Sequence, residues 1–196
     1  MWSYDHTERD ASHDNVFGTT RSLQTVILES CQIESKSDCR SLVWSKGQSK
    51  PRTFYQRFAR SVDSHKGKQS FIDEFEQRRI GSCFVILCGE TNIVTIRMRD
   101  GGVTDEFGFL GKLDNAGVAI VLNPIHDYMR RHEMKKKRAA LSANKRWVLS
   151  VWNKGKKGET ATPWTAFHDG QEATGAVQEV QLGIPSVRMG VINVHW

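Results

Sequence analysis

Short runs of β-branched and aromatic residues, bounded by turn-forming residues, place the strongest constraint on the fold of this chain. They do not alternate regularly with helical segments, as the strands of a doubly wound parallel sheet would. The pattern therefore predicts an α+β or mainly β fold with antiparallel sheets, for which a β-sandwich or jelly roll is one arrangement. Eight such runs occur, at residues 23–31, 40–44, 80–87, 92–99, 117–122, 147–152, 177–182 and 187–194.

Two or three helices accompany these strands. Asn123 can cap a helix and Pro124 is tolerated at the first helical position, so this pair predicts the start of a helix. Pro51 predicts the start of a second, in which Phe54 and Phe58 share one face. Residues 69–77 read as a short amphipathic helix, and residues 103–116 are expected to form a loop.

Residues 1–20 are polar and acidic and predict a loose N-terminal tail, followed by a single globular domain over residues 21–196. The 38% hydrophobic content suffices for a core. No apolar run approaches the length of a membrane span, and the acidic start is unlike a signal peptide, so we expect no membrane partner. The expected location is cytoplasmic or nuclear, or a virion if the protein is viral.

The cysteines carry no C-x-x-C spacing of the kind that holds zinc. The chain has four: Cys31, Cys39, Cys83 and Cys88. Reduced, structural thiols are the expectation, with no metal and no cofactor.

The net charge of +6 is concentrated in one stretch, residues 128–157, which we call the basic segment. It holds eleven Lys and Arg residues against the single acid Glu133, a local charge of +10, so the rest of the chain carries −4. From Lys135 to Arg138 the charge runs all the way round a helix, which predicts that it stays in water. The basic residues are Arg130, Arg131, Lys135, Lys136, Lys137, Arg138, Lys145, Arg146, Lys154, Lys156 and Lys157.

A local field of one sign is what a polyanion-binding face requires. The function predicted for the chain is therefore nucleic-acid binding, DNA or RNA, with those eleven residues neutralising phosphates. A second basic region at residues 46–68 would extend this face. Arg97 and Arg99 alternate with Ile96 and Met98, which predicts that both project from one face of a sheet. The alternative interpretation is a solvated helix face followed by an exposed hairpin tip.

Two patches resemble the single jelly-roll coat proteins of small circular single-stranded DNA viruses of the geminivirus type and of small satellite viruses. The first is Arg79-Ile80-Gly81, which runs into an apolar strand. The second is the hydrophobic strand at residues 147–154, followed by Gly158, Pro163, Trp164 and Phe167. The resemblance implies a β-sandwich subunit that associates with itself and packages nucleic acid through basic residues.

A nuclease is the alternative function. Glu34 and Lys36 form an E-x-K triplet of the kind that holds Mg²⁺ and orients water in metal-dependent nucleases. A metal-free ribonuclease could use His126, His132 or His168 as a general base beside lysines. The chain shows no nucleophile elbow and no phosphate-cradling glycine loop, so no catalytic residue is assigned.

Overall fold

The computed structural model describes the chain in several stretches, and side chains in fewer of them. The backbone is described at residues 2–4, 13–18, 25–31, 40–45, 52–60, 65–97, 99–125, 132–152, 164–181, 183 and 187–194. Side chains are described at residues 52–60, 65–97, 99–125, 132–151, 164–181, 183 and 189–194.

Strands outnumber helices in the described stretches. The strands are β1 Trp2–Tyr4, β2 His13–Gly18, β3 Thr25–Cys31, β4 Arg40–Ser45, β5 Arg52–Tyr55, β6 Arg79–Ile80, β7 Cys83–Val85, β8 Thr95–Ile96, β9 Val103–Thr104, β10 Ile120–Ile125, β11 Trp147–Trp152, β12 Trp164–His168, β13 Gln171–Glu172, β14 Gln178–Val180 and β15 Val187–Val191. The α-helices are α1 His65–Asp73, α2 Phe109–Asn115 and α3 His132–Leu141, and 3₁₀ helices cover Glu76–Arg78, Cys88–Ile93 and Thr174–Ala176.

The strands form two large sheets and the small β8–β9 hairpin. The seven-stranded sheet is antiparallel throughout, in the order β14-β15-β1-β2-β3-β4-β5. The six-stranded sheet has the order β13-β12-β11-β10-β7-β6, and β10 runs parallel to both β7 and β11 while the other pairs are antiparallel. The predicted α+β class is confirmed.

The six-stranded sheet is buried on both faces. Because successive strand residues point to opposite sides, β7, β10 and β11 supply two separate cores. Cys83, Ile120 and Leu149 belong to one core, and Phe84 and Val121 belong to the other. Burial on both faces explains why these strands are continuous apolar runs rather than alternating ones.

The seven-stranded sheet covers the first core. β1 and β2 lie against β11, and Phe54 of β5 is buried in the same cluster as Trp164. A Cβ at Gly190 of β15 would lie 2.7 Å from Val177 Cγ1 and 3.2 Å from the Trp164 ring. Glycine therefore lets β15 approach the indole closely.

The helices cover the second core through a cluster of phenylalanines. The rings of Phe71, Phe75, Phe84 and Phe109 lie 4.8 to 6.1 Å apart between centroids, in tilted or edge-to-face pairs. Such pairs are favourable geometries for aromatic rings. This cluster joins α1 and α2 to the central strand β7.

Several predicted elements are wrong. The helix expected from Asn123 is instead the end of β10, where the Asn123 side chain donates to Ile86 O at 3.0 Å and accepts from Ser150 Oγ at 3.1 Å. Phe54 lies in strand β5 rather than in a helix, because Arg52–Tyr55 pairs with β4.

Two further segments also differ. Of the strand expected at residues 92–99, Asn92 and Ile93 end the 3₁₀ helix Cys88–Ile93, and Thr95–Ile96 form the short β8. The loop expected at residues 103–116 contains α2, whose first turn is capped when the Asp105 carboxylate accepts the Phe109 and Leu110 N–H groups at 2.8 Å each.

Residues of the expected N-terminal tail form strands. Trp2–Tyr4 pairs with β15 and with β2, and His13–Gly18 pairs with β3. Backbone hydrogen bonding to neighbouring strands overrides the polar composition of this stretch. The jelly roll is not confirmed, since β10 lies between two parallel neighbours and a jelly roll is antiparallel.

In the described part of the chain, no helix has the length and apolar character needed to cross a membrane.

Candidate functional site

The structure separates the basic segment into buried and exposed cations. Lys137 and Arg138 on α3 are 1% and 0% exposed, and Arg146 at the start of β11 is 2% exposed. The prediction that charge all round α3 stays in water is therefore wrong for Lys137 and Arg138. The physical reason is that α3 packs one side against the sheet, with Met134 and Leu141 buried beside these cations.

Lys137 is neutralised inside the protein. Its Nζ lies 2.6 Å from Glu133 Oε1, one helical turn earlier, and it also donates to Asn92 Oδ1. Buried charges require such partners because water cannot solvate them. Lys137 thus ties α3 to the 3₁₀ helix Cys88–Ile93.

Arg146 is paired in the same way. Its guanidinium contacts the Asp114 carboxylate of α2, which also accepts from Asn144 Nδ2 at 2.8 Å. Burial lowers the pKa of the Arg146 guanidinium, and Asp114 opposes that shift. With Arg138 fully buried as well, three of the eleven predicted contact residues belong to the interior.

Lys135, Lys136 and Lys145 reach solvent. Lys135 Nζ lies 2.8 Å from Glu172 Oε2 of β13. The hydrogen bond from Lys135 lowers the pKa of the Glu172 carboxyl. The exposed Lys145 has a left-handed backbone conformation, with φ of 62°. A hydrogen bond from its backbone N–H to Asp169 Oδ1, at 3.1 Å, stabilises this conformation.

Lys136 lies against the β8–β9 hairpin. Its Nζ occupies the space that a Cβ at Gly101 would take. The same hairpin carries Arg97 and Arg99, both exposed. The structure thus places Arg97, Arg99 and Lys136 around one tight turn, and we call these three residues the cationic hairpin surface.

The shape of this surface is fixed by Asp100. Its Oδ1 accepts the Gly102 N–H at 2.8 Å and Arg97 Nε at 3.2 Å. The hydrogen bond from Gly102, followed by that from Arg97, lowers the pKa of the Asp100 carboxyl. Asp100 therefore orders the turn and holds Arg97 across it.

The remaining predicted residues lie outside the described residues. These are Arg130, Arg131, Lys154, Lys156 and Lys157 of the basic segment, and Glu34, Lys36 and His126 of the nuclease alternatives.

The second basic region is also divided between solvent and interior where it is described: Arg57, Arg60 and Lys66 are exposed, whereas Arg52 and Lys68 are not. Arg52 donates to the carbonyl oxygens of Gln77 and Arg79. Arg57 Nε donates to Glu74 Oε2 at 2.9 Å, and Lys68 is 8% exposed. Arg52 and Arg57 thus connect β5 and the residues that follow it to neighbouring elements.

Two histidines of the nuclease alternative, His132 and His168, have described side chains. His168 stacks on Trp147 with ring centroids 4.3 Å apart, and its Nε2 lies 3.1 Å from Lys145 O. His132 is exposed at the start of α3. The described side chains include no group of three His, Cys, Asp or Glu residues able to hold a metal.

Sequence reasoning missed the segment at residues 87–93. It follows β7 at the edge where the carboxyl ends of the parallel strands β7, β10 and β11 meet. In sheets with parallel strands, ligands commonly bind outside those carboxyl ends. The sequence feature that indicates this segment is Gly89-Glu90, which follows Cys88 directly after an apolar run.

Glu90 anchors this segment from a fully buried position. Its two oxygens accept four N–H groups at 2.8 Å each: the backbone N–H groups of Arg57 and Leu87, and both terminal nitrogens of Arg78. Burial raises the pKa of the Glu90 carboxyl, while the Arg78 charge and the N–H donors act in the opposite direction. Arg78 is 1% exposed and also stacks on Phe71 at 4.6 Å.

Residues 56–59 hold the segment from its other side. Gln56 Oε1 accepts the Gly89 N–H at 3.2 Å, and Asn92 Nδ2 donates to Ala59 O at 2.8 Å. A Cβ at Gly89 would collide with the Ala59 backbone, so only glycine permits this approach. The segment is consequently rigid on both sides.

Two thiols flank this arrangement in different environments. Cys83 is buried in β7, and burial raises its pKa to about 11. Cys88 opens the 3₁₀ helix, is half-buried and packs against Ile125. Neither forms a disulfide. A thiol acts as a nucleophile when it is accessible and its surroundings favour the thiolate, whereas a buried thiol with a high pKa is inert.

No family model, curated protein or solved structure matches this chain. Function is therefore argued from charge and geometry.

The buried ion pair gives a stability prediction. Glu90→Ala leaves the Arg78 charge buried and unpaired, so we expect a loss of about 3–5 kcal/mol in the free energy of unfolding, measured by urea denaturation. Glu76→Ala breaks a surface pair with Arg79, in which Glu76 is 73% exposed, and should cost about 0–1 kcal/mol. Equal losses in the two variants would contradict this account.

Proposed function

We propose that this chain binds nucleic acid through the cationic hairpin surface and the exposed lysines near it. The observation that carries the proposal is the placement of Lys136 against the turn that bears Arg97 and Arg99. Phosphate chains are bound by such groups of exposed Lys and Arg side chains. The sequence supports the proposal with a net charge of +6 and a pI of about 9.3.

This surface differs from the one predicted from sequence. Lys137, Arg138 and Arg146 are excluded from contact by burial. Lys135, Lys136 and Lys145 remain accessible, and Arg97 and Arg99 are added. Arg130 and Arg131 immediately precede α3 in the sequence and stay predicted contacts. Fewer phosphates are then engaged than eleven cations would suggest.

Packaging by a viral coat protein is a more specific form of the same proposal. It adds self-association, which light scattering would detect as large closed particles. The nuclease alternative adds cleavage, which incubation with labelled RNA and DNA with and without Mg²⁺ would detect. Binding without either property supports a plain nucleic-acid-binding role.

The proposal predicts a salt-dependent affinity. If about three to five phosphates of a single strand are contacted, log K should fall against log salt with a slope of roughly −2 to −3.5. The double variant Arg99→Ala/Lys136→Ala should reduce the size of the slope by about 1.4, since each lost phosphate contact on a single strand removes about 0.7. Fluorescence anisotropy with labelled single-stranded DNA and RNA measures both quantities.

Lys112→Ala provides the matched control. Lys112 is an exposed cation of α2 outside the cationic hairpin surface, so its removal should leave the slope nearly unchanged. A slope near zero for the parent protein, or equal losses in the control and the double variant, would remove the proposal.

Covalent catalysis by the Cys88 thiolate is a second candidate function. The observation that favours it is the position of a partly exposed cysteine at the carboxyl ends of parallel strands, on a turn held by the buried Arg78–Glu90 pair. Enzymes hold their nucleophiles on such fixed turns because precise placement accelerates the reaction.

The candidate predicts unequal thiol reactivity. In the folded protein at neutral pH, iodoacetamide should alkylate the partly exposed Cys88 at least about tenfold faster than the buried Cys83. Cys83 is the internal control and should remain unmodified until unfolding, since its pKa is about 11 and it is buried. Peptide mass spectrometry reads both rates. Alkylation of Cys88 no faster than that of Cys83 in the folded protein would remove this candidate.

A further inference from the structure

A groove of about 630 Å³ lies between α1 and residues 106–112, apart from the cationic hairpin surface. One wall is a single stripe of α1 and the following turn. The other wall comes from the loop before α2 and from α2 itself. The lining residues are His65, Gln69, Ile72, Asp73, Phe75, Glu76, Glu106, Phe107 and Lys112.

The groove is preformed because both walls are fixed. Ile72 and Phe75 belong to the buried phenylalanine core, which holds the α1 wall. On the other wall, the Asp105 carboxylate accepts the N–H groups at the start of α2. The His65 and Phe107 rings meet across the groove with centroids 4.9 Å apart. A volume of this size is in the range that holds a small organic ligand.

The charge of the groove is opposite to that of the chain. Three carboxylates, Asp73, Glu76 and Glu106, line it against the one ammonium group of Lys112, whereas the whole chain carries +6. Glu76 forms an ion pair with Arg79, with 2.9 Å between Oε2 and Nη1. Asp73 instead accepts a hydrogen bond from the neutral side chain of Gln69, with 2.8 Å between Oδ1 and Nε2. Asp73 on one wall and Glu106 on the other are thus the acids that can meet a ligand.

We propose that this groove binds a linear organic polyamine. Ammonium groups would pair with Asp73 and Glu106 on the opposite walls, and charge-assisted hydrogen bonds of this kind are strong. The methylene chain between them would pack on the apolar part of the lining, which includes Ile72 and Phe107. Nucleic acid is repelled by the same carboxylates, so this site is independent of the cationic hairpin surface.

Isothermal titration calorimetry with spermidine tests the proposal on the full chain. Saturable binding with one site is expected, and Asp73→Asn/Glu106→Gln should weaken it about tenfold or more, since both charged partners are lost. Glu179→Gln, an exposed acid of β14 outside the groove, is the matched control and should change affinity less than about twofold. If the double variant does not fold, Glu106→Gln alone, on the exposed rim, should show a smaller loss in the same direction.

Three results would overturn the proposal. The first is unchanged spermidine affinity in a folded groove variant. The second is displacement of spermidine by Mg²⁺ that is as effective as displacement by spermidine itself at the same total positive charge, which would indicate unspecific charge screening. The third is tighter binding of a lysine-rich peptide than of spermidine at the same site, which would indicate a protein partner.

Discussion

Burial of the six-stranded sheet on both faces is the constraint on which the rest of the described structure depends. Its central strands must be apolar on both sides, because one side meets the seven-stranded sheet and the other meets the helices. The buried charged groups of the described residues lie outside these central strands, in helices and connections. There they must be paired, since unpaired buried charge is costly.

The pairs formed by these buried groups are also what positions the candidate sites. Glu90 and Arg78 fix the turn after β7, and Lys137 joins the same turn to α3 through Asn92. Arg146 joins the start of β11 to α2 through Asp114. Buried charge in this protein thus serves as a connection between layers, and the Cys88 turn and the surface of α3 are rigid because of it.

The strands could be predicted from the sequence because their cause is local. β-branched and aromatic runs bounded by turn residues identified β3, β4, β10 and β11, and the α+β class followed from the lack of regular alternation. The errors arose where local signals were overridden. The pair Asn123-Pro124 is typical of a helix start. In the structure it lies in β10, where the Asn123 side chain forms hydrogen bonds to Ile86 and Ser150 on either side. Phe54 and Phe58 have helical spacing, yet β4 pairs with Arg52–Tyr55.

The candidate site was less predictable than the fold. A count of charges cannot show which cations face the interior, since this depends on partners distant in sequence such as Asn92 for Lys137 and Asp114 for Arg146. Nor does sequence spacing reveal that Gly101 adjoins Lys136, which brings Arg97 and Arg99 to the exposed face of α3. These contacts arise only when the two layers pack together.

The central claim is that the cations of α3 divide into interior and surface groups. Amine-specific labelling of the folded protein, read by peptide mass spectrometry, tests it most directly. The account predicts that Lys136 and Lys145 react readily, that Lys137 stays unmodified until the protein unfolds, and that an added oligonucleotide protects Lys136. Labelling of Lys137 as fast as Lys136 in the folded protein would contradict it.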